Sequence, residues 1–427
     1  MKVLIVSHNV LSPSSAMGKT LLSYFSDFSP DELAQFYIHS EVPIDASVCT
    51  RYYRFTDLDA LWARLPCILT GHALGAADIR TDRASARTDT GTVGSLYQYG
   101  RRRSPLIYAA RNLVWKTAFW KSPALKTWLR ETDPDVIFFA SGDYSFLYDA
   151  ACWMADTLRV PLVVSCMDDY YCNNINADRF LGGFLHRQFL RHVRRTMEHA
   201  QLVLVICDAM REAYAARFPV RCETLYTGAK ERAARPVPER GSVSYLGNLG
   251  HLRHRALIEV GRALQAAALP DGPRWIDVYS AEKRPKILNE MTEENGIHFH
   301  GMISAEETAA VMAHSMAVLH VESFDEKEMA RVRFSVSTKI ADSLMNGPCL
   351  IAYGPEGIAS VDYLRTHEAA WVISDPEQLE SALRVILTDP ALRAGTVERA
   401  RALAQANHRA DAVSQKVHAW LQEVIEE

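Results

Sequence analysis

Short apolar runs, most of them β-branched or aromatic and without polar alternation, recur between longer stretches of helical pattern. In the first half they are VLIV (3–6), QFYIHS (35–40), DVIFFA (135–140), PLVVSC (161–166), LVLVIC (202–207) and CETLYTG (222–228). In the second half they are SVSYLG (242–247), RWIDVYS (274–280), IHFHG (297–301), AVLHV (317–321), PCLIAYG (348–354) and AAWVIS (369–374). A strand that is apolar on both sides belongs in a parallel sheet covered on both faces. Strands alternating with helices build βαβ units and a doubly wound sheet. The pattern begins twice, at KVLIVSHN and at VSYLGNLG, and between the two lies AKERAARPVPERGS (229–242), polar and holding Pro236 and Pro238, as a linker would. The expected class is α/β, with two Rossmann-like doubly wound parallel-sheet domains. The expected boundaries are 1–235, 236–395, and a helical tail over 396–427.

Composition narrows the class. A chain of 427 residues is long enough for a core in each domain. Its net charge of −4 gives no electrostatic reason to expect nucleic acid as a partner. Eight cysteines are scattered without Cys-x-x-Cys spacing, and Cys166 and Cys207 sit inside apolar runs. They read as reduced core residues, which places the chain in the cytosol. The apolar run of MKVLIVSHNV is too short for a signal peptide, and no stretch reaches the ~18 apolar residues that span a bilayer.

In doubly wound sheets ligands bind at loops beyond the carboxyl ends of strands. The first such loop, SHNVLSPSSAMGKT (7–20), is not a P-loop, because Pro13 stands where that motif needs glycine. Gly18 would let the backbone approach a ligand at a helix N-terminus, where N–H groups favour an anion; a plain turn and helix start remains the alternative. His8, at the end of the first run, reads as structural or acceptor-contacting. In CMDDYYCNN (166–174), Asp168 and Asp169 are placed either to orient a hydroxyl and accept its proton or to cap a helix or turn. His251, His254, His298 and His300 come without a clear third ligand, so no metal is expected.

The second half opens on YLGNLGHLRHRALIEV (245–260), where Gly247, Asn248 and Gly250 lead into a helix carrying Arg253 and Arg255. A glycine-rich loop with a guanidinium at a helix start suits a diphosphate, and its spacing is not that of a dinucleotide fingerprint. STKIADSLMNG reads as a short helix entered through Ser337 and Thr338 and closed by Gly347. Lys339 in its first turn opposes the helix dipole, a cost that an anionic ligand would offset. Asp342, one turn after Thr338, is placed to accept ribose hydroxyls, and Arg331 and Arg333 add positive charge upstream. Elsewhere, residues 101–130 hold Arg101, Arg102, Arg103, Arg111, Lys116, Lys121, Lys126 and Arg130, interleaved with Trp115, Phe119, Trp120 and Trp128. Such a stretch suits peripheral contact with an anionic membrane or a lipid acceptor, or else amphipathic helices whose aromatics enter the core.

Three of these segments carry a resemblance. YLGNLGHLRHRALIEV, IHFHGMISAEETAAVMAHSMAVLHVES (297–323) and FSVSTKIADSLMNGPCLIAYG (334–354) resemble a GT-B-fold glycosyltransferase of retaining family four, in the Ser-Thr-Lys-Ile variant of bacterial polysaccharide transferases. Asn248 stands at the family's usual Arg and Arg253 at the following Lys. Asp342 stands at the second Glu of the Glu-x7-Glu pair, and Phe334 at the first. Glu322, Asp325 or Glu326 are candidates to replace that first Glu, with Ser335, Ser337 and Lys339 sharing its work.

The resemblance implies a sugar moved with retention from a nucleotide-diphosphate donor of UDP or GDP type, bound by the C-terminal domain in the interdomain cleft, without a further cofactor. Donor contacts would come from Gly18, Gly247, Asn248, Arg253, Ser337, Thr338, Lys339 and Asp342. Arg253 and Lys339 would neutralise the departing diphosphate, and Asp168 or Asp169 would serve the acceptor hydroxyl. The acceptor would be a glycan, a lipid-linked sugar or another hydroxyl in bacterial envelope or polysaccharide synthesis, met in the cytoplasm or at the inner face of the membrane. The last helix would cross back toward the N-terminal domain. A GT-B-type nucleotide-sugar epimerase and a non-catalytic nucleotide-sugar-binding protein are the alternatives.

Overall fold

The computed structural model describes residues 1–12, 16–63, 70–79, 105–172, 180–232, 241–270 and 272–427. The chain forms two compact units, one from Met1–Thr227 with Ala410–Glu427 and one from Gly228–Arg409.

In the first unit the strands are β1 (Val3–Ser7), β2 (Leu33–Tyr37), β3 (Arg51–Arg54), β4 (His72–Leu74), β5 (Val136–Ala140), β6 (Leu162–Cys166), β7 (Leu202–Val205) and β8 (Arg221–Thr224). They lie in the order β4-β3-β2-β1-β5-β6-β7-β8. All pair in parallel except β3 with β4. The helices are α1 (Ala16–Tyr24), α2 (Asp57–Trp62), α3 (Pro105–Thr117), α4 (Pro123–Thr132), α5 (Ser145–Leu158), α6 (Phe180–His199) and α7 (Asp208–Ala215). β1, β2, β5 and β6 are buried along their whole length, as runs apolar on both sides require. β3 and β4 were not legible as strands. Arginines bound the Arg-Tyr-Tyr-Arg run of β3, and β4 is a short antiparallel edge strand.

The second unit holds β9 (Ser242–Leu246), β10 (Ile276–Tyr279), β11 (Ile297–Gly301), β12 (Ser315–Val321), β13 (Cys349–Tyr353) and β14 (Trp371–Ile373). Their order is β11-β10-β9-β12-β13-β14, parallel throughout. Its helices include α8 (Arg253–Ala267), α9 (Ala305–His314), α10 (Glu326–Val332), α11 (Thr338–Asn346), α12 (Ala359–Thr366), α13 (Leu379–Thr388) and α14 (Pro390–Asn407). The last helix, α15 (Ala410–Glu426), belongs to the first unit.

The unit boundaries differ from 235 and 396. The first unit closes at Thr227, and 233–240, most of the expected linker, lies outside the described residues. Residues 396–407 continue α14, whose Val397, Ala400, Leu403 and Ala404 are buried in the second unit. Only α15 carries its apolar face, Val413, Val417, Leu421 and Val424, into the core of the first unit. The second unit is entered and left at one place: Ala229 pairs with Arg409 as an isolated bridge, and the Ala229 N–H donates to the His408 carbonyl at 2.7 Å.

Each sheet has one point where strand order reverses, β1 beside β5 in the first unit and β9 beside β12 in the second. There the crossover helices leave to opposite faces and open a crevice beyond the strand ends.

Candidate functional site

At the reversal point of the second unit, β9 runs into Gly247, Asn248 and Gly250 and then into α8. The Gly247 N–H donates to the Tyr279 carbonyl at 3.0 Å. A Cβ on Gly247 would come within 2.4 Å of the Tyr245 ring, so packing against that ring by itself demands a glycine. The Tyr245 hydroxyl donates to the Asn248 carbonyl at 2.7 Å, and Asn248 Oδ1 accepts from the Gly250 N–H at 2.6 Å. The Asn248 side chain thus shapes the loop at its exposed surface. His251 and Leu252 take left-handed φ of 55° to complete the turn, and His251 Nδ1 lies 2.8 Å from Glu328 of α10.

Arg253, the first residue of α8, meets Glu322 at the end of the adjacent strand β12. The contact is bidentate, Nε to Oε2 at 3.0 Å and Nη2 to Oε1 at 2.7 Å. Glu322 is 2 % exposed, so this is a buried fork-to-fork ion pair. His320, two residues before it on β12, lies 3.8 Å from the same carboxylate and 2.9 Å from the Ser360 hydroxyl; burial holds its pKa below the ordinary value. The pair changes two sequence expectations. Both oxygens of Glu322 accept from Arg253, so in this structure Glu322 braces the start of α8. Arg253, for its part, carries its own counter-ion. Of the other stand-ins, Asp325 caps α10 by accepting from the Lys327 and Glu328 N–H groups. Phe334 is buried, with the Arg333 guanidinium 5.1 Å above its ring, and Arg331 pairs with Glu328 at 2.6 Å.

α11 returns from the carboxyl edge of the sheet to the start of β13, so its N-terminus opens on the edge where the Gly247 loop lies. Ser337 caps it, accepting from the Lys339 N–H. Thr338 and Lys339 form the first turn, Lys339 is exposed, and Asp342 lies one turn on, half-buried. Gly347 closes the helix at an ordinary negative φ. Its glycine is required by approach, because a Cβ would meet the Ser343 carbonyl at 2.4 Å. The structure therefore brings Gly247, Asn248, Arg253, Ser337, Thr338, Lys339 and Asp342 to one sheet edge.

The remaining candidates lie in the first unit. Gly18 is the third residue of α1; Pro13 lies outside the described residues. Asp168 Oδ1 accepts from the Asp169 N–H at 3.0 Å. Asp169 Oδ1 accepts from the Tyr171 and Cys172 N–H groups and from the Tyr214 hydroxyl, at 3.1, 2.8 and 3.1 Å, so it braces its own loop.

At the reversal point of this sheet, sequence reasoning reached His8 but not the side chains around it. His8 leaves β1 there and stacks on Tyr144, which follows β5, at 4.8 Å. The Arg111 guanidinium lies 3.9 Å over the other ring of this pair, Tyr144, and donates to Asp57 at 2.9 Å, while the Trp115 indole N–H donates to the same oxygen at 2.7 Å. Burial, helped by the Arg111 charge, lowers the His8 pKa to about 3 and keeps its imidazole neutral. The loop after β1 is fixed from below by buried Gln35, which donates to Ser7 Oγ and the Asn9 carbonyl and accepts from the Leu11 N–H. Among the described residues no group of three or more His, Cys, Asp or Glu side chains is arranged to hold a metal ion.

Comparison with known proteins decides the class. The family described as Glycosyltransferase Family 4 matches residues 71–230, and the one described as Glycosyl transferase-like matches 251–419. The chain is a glycosyltransferase, matched to family four over 71–230. It is a retaining, nucleotide-sugar-dependent transferase. Solved structures share its fold along the whole length. HepE of Anabaena, in complex with UDP and glucose, aligns with a TM-score of 0.61 at 12% identity, covering 99% of this transferase and 100% of HepE. Sucrose-phosphate synthase from Thermosynechococcus elongatus gives 0.58 at 13%, covering 100% of both chains. WaaG, a glycosyltransferase involved in lipopolysaccharide biosynthesis, gives 0.53 at 14%, covering 97% and 98%. No curated protein matches the transferase by sequence. The two Rossmann-like units are those of the GT-B fold.

Proposed function

We propose that this transferase takes a UDP-linked sugar and moves it to the hydroxyl of an envelope or polysaccharide acceptor. The observation that carries the donor half is the reversal point of the second sheet, where the Gly247 loop, the start of α8 and the Ser337-capped start of α11 open on one edge. Two helix N-termini aimed at one crevice favour a diphosphate. Lys339 supplies the charge that grows in value as the diphosphate departs. Arg253, oriented by Glu322, gives geometry more than net charge. Asp342 takes the ribose hydroxyls. UDP is favoured over GDP by the UDP complexes of HepE.

The test is a thermal-shift series with UDP, GDP and their sugars on the full chain, since a ligand that binds the native state raises its melting temperature. UDP and a UDP-sugar should raise it; no response to any nucleoside diphosphate would overturn the donor site. In Lys339→Ala, kcat/KM should fall about 100-fold with the melting temperature unchanged, because the side chain is exposed. Unaltered turnover would remove Lys339 from the mechanism.

On this proposal the reaction takes place at the cytoplasmic face of a membrane. No described helix is long and apolar enough to cross one. The described cysteines are free, as in a reducing compartment. α3 exposes Leu106 (70%) and Leu113 (61%) on either side of Ala110, followed by Lys116 and Thr117. α6, which packs on α3, exposes Arg187, Arg191 and Arg194. Exposed leucines beside a basic stripe suit an anionic surface. Arg101, Arg102 and Arg103 lie outside the described residues. Co-sedimentation with anionic vesicles should weaken with salt and be lost in Leu106→Glu/Leu113→Glu; equal binding by that variant would dismiss this face.

A further inference from the structure

α3, α4, α5 and α6 enclose a groove of about 1720 Å³ within the first unit, larger than the ~300–1,000 Å³ that small ligands take. Trp115, Trp120, Phe146 and Phe189 form its buried floor, and Phe119 and Phe184 stand at its mouth 74% and 47% exposed. Lys116, Lys121 and Arg195 line it as well. Its two carboxylates already face histidines, Asp149 with His192 at 2.8 Å and Asp156 with His199 at 3.4 Å. Three cations against two carboxylates leave the lining with a formal excess of positive charge for an anion to meet.

The ring packing continues behind that floor. Trp115 stacks on Phe146 at 4.1 Å, Phe146 on Tyr144 at 5.8 Å, and Tyr144 on His8 at 4.8 Å. A continuous run of rings therefore joins the groove to the reversal point between β1 and β5. A bilayer surface would meet the mouth and leave the floor uncovered, whereas a single apolar chain reaches both.

We infer that this groove holds the apolar chain of an amphiphilic, lipid-linked acceptor, with its anionic linkage near the lysines and its sugar hydroxyl at the His8–Tyr144 edge. The inference rests on the transferase reading and names its acceptor class. Chain length then governs affinity, because each further methylene in the groove leaves water.

The probe is 12-bromododecanoic acid, used below its micelle concentration, whose terminal bromine quenches nearby indoles. Trp115, Trp120 and Trp153 line the groove, so the full chain should show saturable quenching, relieved by dodecyl phosphate and unaffected by inorganic phosphate or acetate. Phe119→Ser/Phe184→Ser alters exposed positions and should leave the thermal melt in place while weakening the probe at least tenfold. In transfer assays KM should fall from methyl to octyl to dodecyl glycoside acceptors in the native chain and be flat in the variant. Each sample is also tested for a UDP-induced rise in melting temperature. If UDP acts and quenching is absent, unsaturable or equal in the variant, the groove assignment is overturned. If UDP has no effect but quenching saturates, the groove stands and the donor reading falls.

Discussion

Glu322 shows what one buried side chain fixes. It holds Arg253 at the start of α8 from a strand 69 residues further along the chain, and removing one partner of a buried ion pair strands the other charge. Glu322→Ala should therefore destabilise the second unit by about 3 kcal/mol and lower UDP affinity, read by urea melts and by thermal shift. Arg253→Met with Glu322→Leu should recover most of the stability and none of the affinity. At the other reversal point the consequence depends on pH. The His8 pKa is lowered from 6.5 to about 3 by burial and by Arg111, with His39 adding to the effect and Asn9 and Asp57 opposing it. As pH falls below 6.5 the unfolded chain binds this proton first. His8 thus contributes fully above pH 6.5 and costs about 1.4 kcal/mol for each pH unit below it. His8→Gln should flatten the stability profile between pH 6 and 4 relative to the native chain, measured by urea unfolding at each pH; parallel profiles would contradict a neutral His8. Neither site was legible in full. The cap at Ser337 and the Gly247 loop are local patterns, readable from adjacent residues. The Arg253–Glu322 pair and the His8–Tyr144 stack depend on which strands lie side by side, and that order is written nowhere in a linear pattern.

Among elements, the central strands were the most legible, because a parallel strand buried on both faces leaves an apolar run with little room for variation. Edge strands obey weaker rules, and β3 and β4 escaped for that reason. Helix ends were legible where a cap was chemical, as at Ser337, and not where packing alone decided. The division between α14 and α15 is such a case. Both are Ala-rich, and which unit each joins is set by the faces of Val397 and Ala400 against those of Val413 and Val417. Deleting α15 by a stop after Arg409 would remove Val413, Val417, Leu421 and Val424 and uncover the core of the first unit that they pack on. At roughly 1.5 kcal/mol or more for each, the loss approaches the whole net stability of a domain, about 5–15 kcal/mol. The truncated chain should bind a hydrophobic dye and resist proteolysis only in the region 228–409, as peptide mapping would show.

At the scale of the molecule, the second unit is continuous in sequence and the first is not. Gly228–Arg409 begins and ends at the Ala229–Arg409 bridge, and such a segment can be excised without leaving open strands. The isolated piece should fold cooperatively and bind UDP, stabilised by about 2.7 kcal/mol when UDP stands at 100 times its Kd. A piece that folds without responding to UDP would show that donor binding needs residues of the first unit, Gly18 among them.

The same division sets an order of events on the ribosome. The strands of the first unit are synthesised before the second unit exists, yet their core lacks one wall until residues 410–426 emerge. The later-made unit has its whole sequence at hand sooner and can finish first. Until then β1 to β8 carry apolar surface that a nascent chain exposes to its neighbours. A folding assistant would therefore be expected to hold the beginning of this protein while it waits for the end.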